Sequence, residues 1–460
     1  MTLQSTTGRA MPERPALARL VGDLDAFAQT VWGREPLLRT SAAPSDTGSF
    51  GDTSTDTSSD TDTSSDTDSS RDTDRGDEVP VGTVGTFADL FGLDAVDELV
   101  TVRGLRTPFL RLVKDGSTIP ERAYSGSGGI GAAVADQARD DGIHAEVAKG
   151  ATLVLQGLHR TWDPLLRFSQ QLAADLGHPV QVNAYLTPPQ SQGFGAHYDV
   201  HDVFVLQFEG EKRWHIHAPV HPLPLRSQPG DAYAAQIAQA AAGEPLLDVV
   251  LRPGDCLYLP RGYLHSATAL GGVSGHLTIG IHAWTRHAVL ERVLTDLQAE
   301  LATDASWRES LPVGVDFSAA ESVAHVVADA RAALEQALAA VDPTRVGAAL
   351  LRSHASTQRP APVRPFAQLA AARDLTPQTS VRLREHLALR REPREDGALL
   401  LIGRNGRVLI PADQVPGLAA VTDAPGDICP AEIPLPEPTA MALVKRLLDG
   451  GVVVPSPAPS

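Results

Sequence analysis

Hydrophobic positions recur with two different periods along this chain, and the period changes near residue 286. Near the start, Leu20, Val21, Leu24, Phe27, Val31 and Trp32 keep three- and four-residue spacing, which predicts a helix opening the 16–40 stretch before the chain becomes extended. From about 80 to 285 the apolar runs are short and are punctuated by Gly and Pro. Phe109–Val113, Ala151–Leu155, Val180–Leu186, Val203–Phe208, Arg213–His217, Leu247–Leu251, Cys256–Leu259 and His276–Ala283 are the clearest of them, and they predict strands. One helix interrupts the series, about Asp163 to Leu176, with Gly177 as its stop.

Past residue 286 the period becomes helical, in Ala288–Leu301 and Ser318–Ala340. A last unit over 366–460 has expected strands at Val381–Leu389, Ala398–Ile402 and Val408–Ile410. A helix follows at Ala440–Asp449, stopped by Gly450-Gly451, and then a short Val452–Val454 run; that order resembles a winged-helix module. The expected fold is therefore mainly β with α. A sandwich or barrel, cupin-type jelly rolls included, spans 80–287; a helical region follows over 288–365 and a winged-helix-like domain over 366–460. Residues 1–44 are expected to pack on the barrel.

The stretch from 45 to 79 fits neither period. It is a Ser/Thr/Asp tract in which DTSSDT occurs twice, and its one aromatic is Phe50. Such a segment cannot bury enough apolar surface to fold, so a disordered insertion is expected. It also lacks the Gly turns and bidentate Glu spacing of a calcium loop. Between Ser45 and Glu78 it holds ten Asp, one Glu and two Arg, a net −9 of the chain's −17. The acidity is thus largely local. An acidic chain is a poor general partner for nucleic acid, whose phosphates need Lys and Arg, although it suits a basic protein or peptide.

Composition narrows the chemistry further. The hydrophobic share is 42% and the charged share 21%, as in a globular protein. No apolar run approaches the ~20 residues that span a bilayer. Met1–Ala10 is polar and lacks the apolar stretch of a secretory leader, so a cytoplasmic location is expected. Cys256 and Cys429 are the only cysteines, too few for a disulfide framework or a four-cysteine zinc site. Any bound metal must be held by histidine and carboxylate.

One segment meets that requirement. In Gly195-Ala196-His197-Tyr198-Asp199, residues i and i+2 of an extended chain face the same way, so His197 and Asp199 converge on one point. His265, in Leu259-Pro260-Arg261-Gly262-Tyr263-Leu264-His265, is the natural third ligand. Two imidazoles and one carboxylate on one face leave positions open, the arrangement suited to non-haem Fe(II) oxygenases that use a 2-oxo acid and O₂. A 2-oxo acid with a distal carboxylate needs a cation at the far end of the pocket. Lys212 is one of only four lysines and follows His197 by 15 residues, and Gly210 reads as a hairpin turn that brings it back beside the first strand. Asn183, Tyr185 and Thr278 are candidate hydrogen-bond donors around the same cosubstrate. His215 and His217 read more simply as an alternating strand. His201-Asp202 is a decoy for the ligand pair, set aside because Gly-Phe-Gly-Ala before His197 lets the chain approach the site closely.

With these residues in place the stretch 183–214 resembles the JmjC-domain ribosomal oxygenases, Fe(II)- and 2-oxoglutarate-dependent hydroxylases of histidine or arginine side chains in ribosomal proteins. The motifs that carry the resemblance are NAYLTPPQSQGF, HYD, FVLQFEGEKRW and LPRGYLH. It implies a double-stranded β-helix barrel, a helical dimerisation region that makes the protein a homodimer, and a C-terminal winged helix. It also implies a metal triad of His197, Asp199 and His265, a 2-oxoglutarate lysine at Lys212, and a cosubstrate site lined by Asn183, Tyr185 and Thr278. Lysine at 212 is similar to the histidyl branch, where the bacterial arginyl enzymes typically carry arginine. Gly280 stands where histidyl enzymes commonly have serine, and the alanine-rich insertion Asp231–Glu244 is a further departure.

Three other readings compete with a protein hydroxylase. The same chemistry on an N-methyl group would make a demethylase, and a peptide natural product could be the substrate. From another class, a non-catalytic cupin-like regulator would use the winged helix, whose arginines include Arg382, Arg384, Arg390, Arg391, Arg394, Arg404 and Arg407. The acids interspersed among them favour a protein–protein module over a nucleic-acid one.

Overall fold

A computed structural model describes residues 14–41, 81–84, 87–191 and 194–456, without the side chains of 81–84. The acidic 45–79 tract lies outside the described residues. The chain folds as two compact units, one made of Pro15–Leu165 and Val182–Gly280, the other of Leu166–Gln181 and Ile281 onward.

The first unit is built on a large, mostly antiparallel sheet of ten strands, consistent with a jelly roll. In chain order they are β1 (Leu37–Ser41), β2 (Val81–Val84), β3 (Leu110–Lys114), β4 (Ser117–Thr118), β5 (Thr152–Leu155), β6 (Val180–Thr187), β7 (Asp202–His217), β8 (Leu247–Leu251), β9 (Cys256–Leu259) and β10 (Leu264–Ile281). The spatial order is β2-β1-β9-β7-β10-β6-β5-β3-β4, with β8 also paired to β7. Period-two patterning explains why these runs become strands. On β6 the odd residues face one way and the even ones are buried, Val182 and Ala184 completely. A core of Val203, Val205, Trp214, Ile216, Leu251, Leu257 and Leu259 joins β7, β8 and β9.

The predicted opening helix is a short run, Pro15–Val21 and Leu24–Ala26 with a further turn at Phe27–Val31, followed by β1. Phe27 meets Tyr258 edge-on at 5.0 Å, Trp32 stacks on Tyr258 at 5.9 Å, and the Gly33 N–H donates to the Tyr258 hydroxyl at 3.0 Å. These rings seat the opening segment on β9.

One expectation is overturned. Val203–Phe208 and Arg213–His217 are not the arms of a hairpin turning at Gly210; they are two halves of the single 16-residue strand β7. The first half pairs with β9 and the second with β8, so the turn lies in the partner, around Arg252–Asp255. Gly210 does adopt a left-handed φ of 57°, but inside the strand.

In the second unit, helices Arg286–Leu301, Ala324–Ala339 and Pro343–Thr357 occupy the region read as helical, the last of them not foreseen. The C-terminal part has its own core of Val381, Leu401, Ile410, Leu443, Val444, Leu447 and Val453. A two-stranded pair, Val381–Leu383 with Val453–Pro455, and a three-stranded sheet, Arg390–Pro393, Leu399–Gly403 and Gly406–Ile410, surround helix Glu437–Asp449. No helix of the described residues is long and apolar enough to cross a membrane.

Candidate metal centre

The loop before β7 and the start of β10 are stitched together by their backbones. His197 N–H donates to His265 O at 3.2 Å and His265 N–H to His197 O at 2.8 Å, while Gly262 N–H donates to Asp199 O at 3.0 Å. Behind them, the fully buried Asp202 accepts from the Arg261 backbone N–H at 2.8 Å and pairs with the Arg261 guanidinium at 3.3 Å. This places the His201-Asp202 decoy: Asp202 ties the entry of β7 to the turn that precedes His265. Burial raises its carboxyl above the ordinary value, and the hydrogen bond and charge of Arg261 oppose the rise.

His197, Asp199 and His265 therefore meet, with one ligand atom from each lying within 4.8 Å of the others. The imidazole rings are 4.4 Å apart between centroids. His197 Nδ1 lies 2.8 Å from Gly195 O and His265 Nδ1 lies 3.1 Å from Tyr263 O. A carbonyl only accepts, so both Nδ1 atoms carry a proton, which leaves Nε2 as the atom of each ring that can ligate a metal. Burial and the neighbouring His197 hold the His265 imidazole below its ordinary value, favouring the neutral form. Neutral imidazoles beside one carboxylate fit a divalent first-row metal with open positions.

The three residues line a cavity of about 280 Å³ that also takes in Tyr185, Lys212 and Thr278 from the expected set. Lys212 is 4% exposed and donates to Thr187 Oγ1 at 3.0 Å. No carboxylate among the described residues pairs with it, and burial alone pulls its ammonium down to about 7. A buried cation without a counter-charge is the complement of an anionic ligand. Tyr185 stacks on His276 at 5.1 Å with the rings 5° from parallel, and Trp214 meets His276 edge-on at 5.4 Å.

Asn183 departs from the expectation. It is not among the cavity-lining residues; its side-chain oxygen accepts from the Gly157 N–H at 3.1 Å, and the carboxamide also bonds Tyr185. It supports Tyr185 from the side. Sequence reading also missed Thr187, Trp214, His276 and Arg111, which stands over the Phe194 ring at 5.6 Å. Three of these carried a signal, since each lies two residues from a residue already chosen: Thr187 from Tyr185, Trp214 from Lys212, His276 from Thr278. Two further histidines of this unit have partners in the fold. His215 is paired with Asp248 at 3.4 Å, and His221 stacks on Tyr233 at 4.7 Å.

Residues 159–289 match the family model described as the JmjC domain. Among curated proteins, the chain is 40% identical over 139 residues to the bifunctional lysine-specific demethylase and histidyl-hydroxylase NO66 of Drosophila persimilis. It is 41% identical over 152 residues to human ribosomal oxygenase 1. The two matches span 30% and 32% of this chain but only 19% and 23% of those proteins. Among solved structures, the Escherichia coli ribosomal oxygenase YcfD is similar at 16% identity with a TM-score of 0.48, over 95% of this chain and 99% of that one. His197, Asp199, His265, Lys212 and the rest of the cavity all lie inside the JmjC match except Arg111 and Thr152.

Proposed function

We propose that this protein is an Fe(II)- and 2-oxoglutarate-dependent oxygenase that hydroxylates a side chain of a protein or peptide. The observation that carries the reading is the sharing of one cavity by the three converging ligand atoms and the unpaired, buried Lys212. His197, Asp199 and His265 hold the metal. When bound, the iron with 2-oxoglutarate and O₂ supplies the oxidising chemistry, and succinate and CO₂ are its by-products. Lys212 and Thr187 receive the distal carboxylate of the cosubstrate, and Tyr185 and Thr278 line its path. Val203, Val205 and Trp214 keep the pocket wall apolar, which strengthens the charge pairing inside. Lysine at 212 and the likeness to a protein named histidyl-hydroxylase favour a histidyl target over an arginyl one, with ribosomal proteins the first substrates to try. That relative's name also includes demethylase, and formaldehyde release separates the two activities.

Around the barrel we read 1–44 as a packing segment, 288–365 as a dimerisation region and 366–460 as a winged-helix-like module that contacts protein. Three of its arginines are engaged within the chain: Arg391 pairs with Asp423, Arg384 donates to Ala361 O, and Arg404 donates to His386 O. This supports a protein surface over a phosphate-binding one.

The test is succinate formation. Protein purified without oxygen is given Fe(II), 2-oxoglutarate, ascorbate and O₂, beside a His197→Ala/Asp199→Ala control. Succinate from the wild type alone supports the reading. Neither turnover nor 2-oxoglutarate binding by metal-loaded protein sinks it, and favours the non-catalytic regulator.

A further inference from the structure

Strand β7 contains one residue too many. Its first half pairs Leu206 with Cys256 and its second half pairs Lys212 with Leu251. Six steps on β7 thus oppose five on the partner side. Below the extra residue the cavity-facing positions are odd, Val203 and Val205; above it they are even, Lys212 and Trp214. An uninterrupted strand with the same numbering would present Glu211 and Arg213 to the cavity and turn Lys212 away. The irregularity sits at Gly210, whose left-handed backbone lies so close to β10 that a Cβ there would meet Val273 O at 2.1 Å.

We propose that Gln207 is the positioning residue that locks this bulge and so delivers Lys212 into the pocket. Its carboxamide nitrogen donates to Glu209 O at 2.7 Å and lies within reach of Gly210 O at 3.1 Å and of Ser274 Oγ, on β10, at 2.9 Å. Gln207 and Ser274 are both fully buried. Two of the facing atoms are carbonyl oxygens that only accept, which fixes the amide orientation. The Gln207 backbone completes the clamp, donating to Asp255 O at 3.0 Å and accepting from Gly254 N–H at 2.9 Å. One side chain thus holds both carbonyls of the bulge and the neighbouring strand. That Lys212 then meets a cosubstrate carboxylate rests on the proposed function; the clamp itself does not.

The chain's four lysines make the test clean, because Lys114, Lys149 and Lys445 are exposed and serve as internal standards. Wild type, Gln207→Leu and the milder Ser274→Ala are acetylated in the native state and mapped by mass spectrometry. Alkylation of Cys256, buried on the strand that pairs with Leu206, reports whether the sheet has opened. The clamp predicts that Lys212 acetylation rises about tenfold in Gln207→Leu and less in Ser274→Ala, as expected from losing buried hydrogen bonds, with the other lysines and Cys256 unchanged. It further predicts weaker 2-oxoglutarate binding at unchanged metal affinity, and no additional weakening when Gln207→Leu is combined with Lys212→Ala. Lys212 as protected as in the wild type overturns the proposal. So does Cys256 becoming reactive in step with Lys212 in both variants, which would make Gln207 a general core residue. A wild type that binds no 2-oxoglutarate, with Lys212 still released in Gln207→Leu, overturns the function and supports the clamp.

Discussion

Replacing Lys212 by Met should stabilise the empty protein while crippling its cosubstrate site. The ammonium is buried and burial lowers it from 10.5 to about 7. Between those values the unfolded chain binds one more proton than the folded one, so stability rises with pH across that window. At pH 7 the burial of this group costs about 4 kcal/mol, taking 1.36 kcal/mol per unit. Methionine has a similar length and no charge, and gives up the hydrogen bond to Thr187, worth about 1 kcal/mol. The variant should therefore be about 3 kcal/mol more stable than wild type at pH 7, and the gain should vanish and reverse towards pH 10.5. Because the chain has two compact units, the barrel needs its own probe. Alkylation of the buried Cys256 along a denaturant series, at several pH values and without metal, supplies it. In calorimetry the same variant should bind 2-oxoglutarate at least about tenfold more weakly, the loss of a charge-assisted bond. A variant no more stable than wild type at pH 7, or a difference indifferent to pH, would refute the view that Lys212 is an uncompensated buried cation.

Three further outcomes follow from the geometry. Either His197→Ala or Asp199→Ala should abolish metal uptake, followed by metal analysis of the purified protein, and with it succinate formation. Asp202→Ala should cost about 3–5 kcal/mol, because it strands the Arg261 guanidinium beside a buried gap; Asp202→Asn keeps an acceptor for the Arg261 N–H and should cost less, as read by thermal melting. Gly210→Ala should lower the melting temperature by more than the replacement of a glycine in open space such as Gly272, since its Cβ would collide with the backbone of Val273.

Much of the sheet was legible because its strands are short apolar runs bounded by Gly and Pro, alternating in Val180–Leu186 and wholly buried in Thr152–Leu155 and Cys256–Leu259. Cys256–Leu259 and Leu247–Leu251 were read to the residue, and the helix at Asp163–Leu176 likewise. The convergence of His197 and Asp199 was legible from their i and i+2 spacing. Gly210 was not. A glycine between two acids after an apolar run has the chemistry of a hairpin turn, and a left-handed φ is what both a turn and a bulge require. Only the partner strands separate the two, and pairing with β8 and β9 is not a local property of the sequence. Asn183 failed in a similar way: its place on β6 is correct for the cavity face, but the Gly157 N–H, 26 residues earlier, claims its oxygen. The helix Pro343–Thr357 was overlooked although Asp342, whose side chain accepts from the Thr344 N–H, and Pro343 form a helix-start signal.

Some buried polar groups of the first unit hold turns and bulges, and others stand on the cavity wall. Asp202 is held by Arg261; Asp255 accepts from Ser41 N–H at 2.8 Å and Arg252 N–H at 2.7 Å; the Gln207 carboxamide nitrogen is bonded three ways. These contacts fix turns or bulges, although the Gln207 side-chain oxygen has no hydrogen-bond partner among the described residues. Lys212 has a hydroxyl but no counter-charge, and His276 Nδ1 has no hydrogen-bond partner. Both lie on the wall of the same cavity as the metal ligands. A core excludes polar groups that it cannot pair, so a cluster of incompletely paired ones around a void is explained by what enters the void. Asp202 fixes the turn before His265, and Gln207 fixes the strand phase that carries Lys212. The fold thus uses the buried contacts of Asp202 and Gln207 to aim His265 and Lys212 at the cavity, so a substitution at Gln207 should be felt as a change of ligand affinity.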